Sequence, residues 1–308
     1  MTSTPKRHAV AFCVDAGYLP FAAHAATQIV ALDPDDSFDI LICSAAPLTL
    51  PPGLAGGRIR MVTLESPVDA LRTRNHVSVA AYLLYYLPVI LGEDYDRILY
   101  LDADIFVQGG DFAALLDVDL HGRTVGAVSN MSTILHRRRV EEFRIAGLPQ
   151  APYFNSGVVL IDTAAWRAKA LTAAAVDLSA TRGHEFPLHD QSVLNVVLHR
   201  DWAELSPVWN FEGFKDTRLA ETMVFPNIVH FTTDLKPWND TFDLTPPRFS
   251  VPMHAFVTRH FPGIPFRAPG HPARNPRRMR ALSWRLYKIA PRLAAHLARF
   301  DDDLTVLT

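Results

Sequence analysis

"DRILYLDADIFVQGGD", residues 96–111, carries the reading of the fold. Four apolar residues, Ile98 to Leu101, suit a strand buried on both faces. They run directly into two carboxylates, Asp102 and Asp104. An acid buried without a partner costs several kcal/mol, so a buried strand end bearing two of them must hold something. Two residues apart on an extended chain, both side chains would share one face. A divalent cation with a taste for hard oxygen ligands, Mg²⁺ or Mn²⁺, would satisfy both charges. The bland alternative is a pair of solvated acids entering the turn that "QGGD" announces, and the triplet alone leaves both open.

Working outward, strand-like runs alternate with helical patterns. "HAVAFCV" (8–14), "FDILICS" (38–44), "RIRMVTL" (58–64), "TVGAVSN" (124–130) and "SGVVLID" (156–162) read as strands. Helical spacing is predicted from about Leu19 to Ala31, Val77 to Leu91, Ala164 to Ala180, and over "QSVLNVVLH" (191–199). Such alternation predicts an α/β fold with a mostly parallel central sheet flanked by helices. Ligands of those sheets bind at the carboxyl ends of strands. Asp15, Asp102, Asp104 and Asn130 all fall at predicted strand ends.

The composition narrows the class. A chain of 308 residues that is 49% hydrophobic can fill one large α/β domain or two small ones. No stretch of about 18 uncharged apolar residues suggests a spanning helix. The apolar run near the start is short and contains Asp15, so it reads as a first strand and export is not expected. Cys13 and Cys43 sit inside apolar strands without metal spacing and read as small buried hydrophobes.

The net charge of −2 conceals an asymmetry: residues 245–300 hold eleven Lys or Arg and no acid. "PPRFSVP" and "FPGIPFRAPGHPARNP" (261–276) read as an irregular connector. Beyond it Leu282, Leu286, Ile289, Leu293, Leu297 and Phe300 form one apolar stripe, flanked by Arg278, Arg285, Arg292 and Arg299. Pro291 is expected to kink or split this helix. With Trp284 and Tyr287 beside the stripe, the helix suits an anionic membrane interface. Folding back onto the acidic body suits it nearly as well. The arginines belong to no nucleic-acid reading module, and no nucleic acid is expected.

Four segments, in order, resemble the glycosyltransferases of family 8, retaining enzymes with the GT-A fold. "DRILYLDADIFVQGGD" is similar to that family's strand and Asp-x-Asp motif. "PYFNSGVVLIDTAAW" (152–166) resembles its Phe-Asn-Ser/Ala-Gly-Val strand, and "HDQSVLN" (189–195) its Asp-Gln-Asp-x-Leu-Asn segment. "IVHFTTDLKPW" (228–238) resembles its His-x-x-Gly-x-x-Lys-Pro-Trp segment. The resemblance covers about residues 8–240. It implies a catalytic domain over 1–245 and a connector with a basic amphipathic region over 246–308.

The resemblance also implies roles. Asp102, Asp104 and His230 would hold Mn²⁺ or Mg²⁺, and Lys236 would meet the phosphates of a UDP-sugar. Asp15 would bond the uracil edge and Tyr18 would stack on the base. Asn155, Asp190, Asn130 and His76 would surround the sugar, with the "RTRNH" loop nearby. Gln191 would bring a side-chain carbonyl oxygen near the anomeric carbon, making Gln191 and Asp190 the catalytic pair. With no second carboxylate in a recognised motif, attack from the face of departure is expected, with the leaving phosphate as base. The implied reaction moves galactose or glucose from a UDP-hexose to a saccharide or glycolipid acceptor in lipopolysaccharide or surface polysaccharide synthesis. The implied setting is cytoplasmic, with the basic tail bringing the chain to the inner membrane face.

Two departures stand out. The family's cation in a Tyr-x-Arg-Leu pattern is Leu84 here, with Arg72 or Arg74 as substitutes, and the glycine after His-x-x is Thr233. They motivate a second reading, a degenerate protein that binds nucleotide-sugar without turnover. A third, a haloacid-dehalogenase-like phosphohydrolase, shares a strand ending in Asp-x-Asp. It wants Thr or Val where Phe106 stands and has its motif nearer the chain start.

Overall fold

The computed structural model describes residues 7–54, 58–65, 79–213, 217–242, 245–269 and 276–308. His76, Arg72, Arg74 and the rest of the "RTRNH" loop lie outside the described residues.

Eleven strands are described: β1 (His8–Cys13), β2 (Asp39–Ser44), β3 (Ile59–Thr63), β4 (Arg97–Leu101), β5 (Ile105–Val107), β6 (Val125–Ser129), β7 (Phe154–Asp162), β8 (Trp202–Leu205), β9 (Phe211–Glu212), β10 (Ile228–His230) and β11 (Val306–Leu307). Eight form the main sheet in the order β11-β8-β6-β7-β4-β1-β2-β3. Pairing is parallel from β3 through β2 and β1 to β4, and between β6 and β8. β7 runs antiparallel to both its neighbours, and β11 to β8. The expected mostly parallel α/β sheet is therefore present, with two reversed strands.

Successive strand residues point to opposite faces, and both faces are greasy. Val10, Phe12, Ile40, Ile42, Leu99 and Leu101 pack on one side with Phe21, Ala25 and Ile29 of the helix Leu19–Leu32. Ala9, Ala11, Leu41, Ile98, Tyr100 and Ile161 pack on the other with Trp166, Ala175 and Leu194. Cys13 and Cys43 are free thiols on this second face, buried as expected.

Four sequence expectations are corrected. Of the helix expected over 77–91, the described part is a 3₁₀ turn, Val79–Tyr85, followed by a short α-helix, Leu87–Ile90, with Pro88 in its first turn. The helix expected over 164–180 is two, Thr163–Ala168 and Leu171–Arg182, because Ala170 turns left-handed at φ 50°. "PPRFSVP" is not irregular; it belongs to the helix Pro247–His260. Prolines 246 and 247 sit at its start, where a missing N–H costs nothing, and Phe249, Met253 and Val257 recur every fourth residue on its buried face. Nor does Pro291 split the last helix, which runs unbroken as Pro276–Leu297. Ile289 and Leu293 are buried against Met131, Leu135, Phe211 and Ala220, and this packing outweighs the lost backbone bond.

The last helix thus lies on the body, as the fold-back reading has it. Arg292 donates to the Leu135 carbonyl (2.6 Å) and Arg299 pairs with Glu204 (2.7 Å). Its other side stays open, with Trp284 58% and Tyr287 72% exposed.

What positions the site is a second, three-stranded sheet, β5-β10-β9, with β10 antiparallel to β5 and parallel to β9. β4 belongs to the large sheet and β5 to the small one, so Asp102 to Asp104 is the joint between them. His230 pairs with Ile105, and the Phe231 amide donates to the Asp104 carbonyl at 3.0 Å. The backbone ladder itself brings the histidine to the two acids.

Candidate active site

Strand β4 stops at Leu101, and the Asp102 amide donates to the Gly157 carbonyl of β7 (2.8 Å). The Asp102 carboxylate accepts from the Tyr100 hydroxyl (2.6 Å), a residue two back on the same strand face. His230 Nε2 lies 3.5 Å from Asp102 Oδ2 and 3.2 Å from Asp104 Oδ1. Donor atoms from Asp102, Asp104 and His230 lie within 4.8 Å of one another, a grouping no other three acids, histidines or cysteines make among the described residues. Ligands about 2.1 Å from a shared ion stand at most about 4.2 Å apart, so both histidine–carboxylate separations fit one cation. Lys236 Nζ closes the other side, bonded to Asp104 Oδ2 and the Phe231 carbonyl.

The charges are tightly set. Burial works against ionised Asp104, but His230 and Lys236 outweigh it and hold its carboxyl well below the usual range. Asp102 is raised, first by burial and then by Asp104. Burial disfavours the charged form of His230, yet the two carboxylates raise its pKa overall.

Behind the triad runs a buried polar chain. His230 Nδ1 meets Asn210 Oδ1 (3.0 Å), and Asn210 Nδ2 donates to Asn155 Oδ1 (2.9 Å). Asn155 Nδ2 donates to Gln191 Oε1 (3.0 Å), which also accepts from the Ser156 amide (3.2 Å). Gly157 sits where this chain crosses β7. A Cβ there would fall 2.2 Å from His230 Cε1 and 2.8 Å from Asp102 Oδ2, so only glycine fits.

In front of the triad, Cys13, Val14, Asp15, Tyr18, Ala80, Tyr100, Asp102 and Asp104 line an open cleft of about 270 Å³. Asp15 Oδ1 accepts from the amides of Gly17 (2.9 Å) and Tyr18 (3.1 Å), holding the turn into the first helix. Tyr18 is edge-on to Trp238 (5.9 Å), which stacks on Phe21 (3.6 Å). Trp238 therefore anchors the loop bearing Lys236. The structure brings Asp15, Tyr18, Asp102, Asp104, His230 and Lys236 together. Asn155 and Gln191 adjoin them through the polar chain.

Asp190 accepts from Ser156 Oγ (3.2 Å), and its pKa is raised to about 7 by burial and then by the charge of Asp102. A carboxyl held neutral by the fold adds stability at low pH that is lost as pH rises from about 4 through about 7. Asp190→Asn should therefore raise the melting temperature more at pH 8 than at pH 5, as read by calorimetry at both pH values; an equal shift would contradict the assigned environment.

Asn130 has both ends of its side chain engaged, accepting from the Thr133 amide (3.1 Å) and donating to Glu212 (3.3 Å). It caps the helix Met131–His136. Leu84 is fully buried in the core, and the Thr233 hydroxyl donates to the Leu235 carbonyl (3.0 Å). Sequence reasoning missed Asn210, Tyr100 and Gly157. Tyr100 was legible from its even spacing to Asp102, and Asn210 as a lone amide between Trp209 and Phe211.

The triad of two aspartates and a histidine lies at the carboxyl edge of a mostly parallel sheet, and the fold around it is of the GT-A glycosyltransferase type, as its likeness to solved structures shows. Among solved structures, the galactosyltransferase LgtC, in complex with donor and acceptor sugar analogs, superposes with a TM-score of 0.66 at 20% identity, covering 82% of this chain and 96% of that one. Residues 59–242 match the sequence model of Glycosyl transferase family 8, and the chain belongs to that family. Glycosyltransferase GlyF of Streptococcus pneumoniae serotype 4 is 30% identical over 188 residues, 59% of this chain and 43% of that protein. Lipopolysaccharide 1,2-glucosyltransferase of Escherichia coli K12 is 28% identical over 177 residues, 53% of this chain and 50% of that protein. The chain thus spans about half the length of these relatives. The family sets aside the phosphohydrolase reading.

Proposed function

We propose that the chain is a metal-dependent retaining glycosyltransferase that moves galactose or glucose from a UDP-sugar to a saccharide or glycolipid acceptor, in lipopolysaccharide or surface polysaccharide synthesis. The observation that carries this is the meeting of Asp102, Asp104 and His230 at the lip of a cleft that also holds Asp15 and Tyr18.

A departing diphosphate concentrates negative charge, and catalysis needs positive charge waiting where it develops. Asp102, Asp104 and His230 would hold Mn²⁺ or Mg²⁺, which when bound supplies Lewis-acid stabilisation of that diphosphate. Lys236 leaves Asp104 to meet the phosphates. Tyr18 offers a ring to the uracil and Asp15 an acceptor to its edge. Asp190, whose pKa is raised by burial and then by the charge of Asp102, bonds donor hydroxyls. Gln191 Oε1 already accepts two hydrogen bonds, so facing an oxocarbenium-like centre requires it to exchange Asn155 and Ser156 for the sugar. Same-face attack, with the leaving phosphate as base, asks for no further carboxylate.

The test is release of UDP from a panel of UDP-hexoses with Mn²⁺ present. Turnover of one of them that stops on chelation supports the reading. Metal-dependent UDP binding with no release after long incubation would instead favour the non-turnover reading, for which buried Leu84, in place of a cation, is the specific observation.

The exposed pair Trp284 and Tyr287, stacked at 5.7 Å with Lys288 over the Trp284 ring, supports attachment to an anionic membrane face. Among the described residues no helix is long and apolar enough to cross a membrane. The double variant Trp284→Ser, Tyr287→Ser should lose flotation with phosphatidylglycerol vesicles while UDP release persists. Undiminished flotation would defeat the attachment.

A further inference from the structure

The buried chain behind the triad has a direction, and two backbone amides set it. Side-chain amides are ambiguous by themselves, because oxygen and nitrogen look alike. A backbone N–H, however, can only donate. The Gly157 amide points at one end of the Asn155 side chain (2.9 Å), so that end is the oxygen. The Ser156 amide likewise identifies the oxygen of Gln191.

Everything else follows from these two. The Asn210 atom 2.9 Å from Asn155 Oδ1 must be a donor, its Nδ2. The other end of Asn210, 3.0 Å from His230 Nδ1, is then oxygen and can only accept. Nδ1 of His230 must carry a proton. On the far side, Gln191 Nε2 reaches the Tyr153 hydroxyl (3.4 Å), which donates to the Glu142 carboxylate (2.8 Å). Five hydrogen bonds therefore run head to tail from an imidazole to a carboxylate, each donor polarising the next. The links are hidden from water: Asn210 is 0% exposed, His230 4%, Asn155 6% and Gln191 9%.

We propose that Asn210 is a positioning residue: it holds the proton on His230 Nδ1 and so leaves Nε2, the nitrogen facing Asp102 and Asp104, as the one that gives up its proton when a cation binds. A ligating histidine commonly donates its other ring N–H to a carbonyl or carboxylate, which fixes both ring orientation and tautomer. Here an asparagine oxygen takes that place, and the carboxylate stands four links further on. The proposal rests on the reading of the triad as a metal site, and its proton placement can be tested without metal.

Two measurements on the full chain decide it. The first is the ¹⁵N spectrum of histidine-labelled, metal-free protein at pH 9, with His230 assigned by its loss in His230→Gln. Wild type should show a protonated Nδ1, and a His230 whose Nδ1 carries no proton would overturn the proposal with no variant needed. The second is the Mn²⁺ dissociation constant by electron paramagnetic resonance. Asn210→Leu, which removes the acceptor, should let the neutral imidazole keep its single proton on Nε2, facing Asp102 and Asp104, instead of on Nδ1, and weaken Mn²⁺ binding by about 10- to 100-fold. Asn210→Asp, which keeps an acceptor, should retain the Nδ1 proton and bind within a few-fold of wild type. Asn210→Leu with both signals unchanged would overturn the proposal. Failure of wild type to bind Mn²⁺ counts against the metal reading itself. The Nδ1 proton then decides alone: lost in Asn210→Leu the proposal stands, kept it falls.

Discussion

Gly157→Ala lowers turnover of the UDP-sugar by about a hundredfold or more while the chain still folds. The added methyl would stand 2.2 Å from His230 Cε1, 2.6 Å from its Nδ1 and 2.8 Å from Asp102 Oδ2. The buried imidazole has no room to retreat, and the Asp102 carboxylate can yield only by swinging into the cleft, away from His230. His230 is pinned by Asn210, and Asp102 is tied by its own amide to the Gly157 carbonyl. The clash therefore disturbs two proposed ligands at once, and displacement of a catalytic group by about 1 Å costs on the order of 10² in rate. Overpacking adds about 1–3 kcal/mol of destabilisation, enough to lower the melting temperature without unfolding the chain at 25 °C. UDP release and Mn²⁺ affinity, measured beside a thermal melt, check this. Wild-type affinity and turnover in a folded Gly157→Ala protein would show that the triad does not bind donor through metal.

Asp104→Asn is expected to abolish UDP release, by about two to three orders of magnitude. The change keeps the volume of the side chain and removes its charge. Stabilising a departing phosphate through a bound cation is worth several kcal/mol, and each 1.36 kcal/mol is tenfold in rate. Lys236 also loses its ionic partner and the imidazole of His230 its main source of charge stabilisation. Kinetics with saturating UDP-sugar and a Mn²⁺ titration check this, and recovery of full rate at high Mn²⁺ would mean that Asp104 only tunes affinity.

The sheet was readable because its strands are buried on both faces. β1, β2 and β4 are short apolar runs, and no period-3.6 pattern competes with them. The DxD triplet was readable for the opposite reason, since acids at the end of such a run demand a partner. What failed in the sequence was local. Ala170 breaks a helix that its alanine-rich neighbours favour, and nothing in the side chain signals φ 50°. Pro252 and Pro291 discourage helix, yet Met253, Ile289 and Leu293 bury enough apolar surface to override them.

At the site, residues whose chemistry is charge were legible one at a time. Those whose work is geometry were not. Asn210 and Gly157 act through distances set by strands far apart in the chain, β9 against β10 and β7 against the β4–β5 joint. Asn130 shows the reverse case, a polar strand-end residue whose side chain is taken up by a helix cap and Glu212.

The most direct test is a crystal soaked in Mn²⁺ and UDP, with data collected at the manganese absorption edge. The account predicts one anomalous peak about 2.1–2.3 Å from Asp102, Asp104 and His230 Nε2, with oxygens of the diphosphate completing the shell. A peak elsewhere, or UDP bound in the cleft with those three side chains turned away from it, would contradict the account.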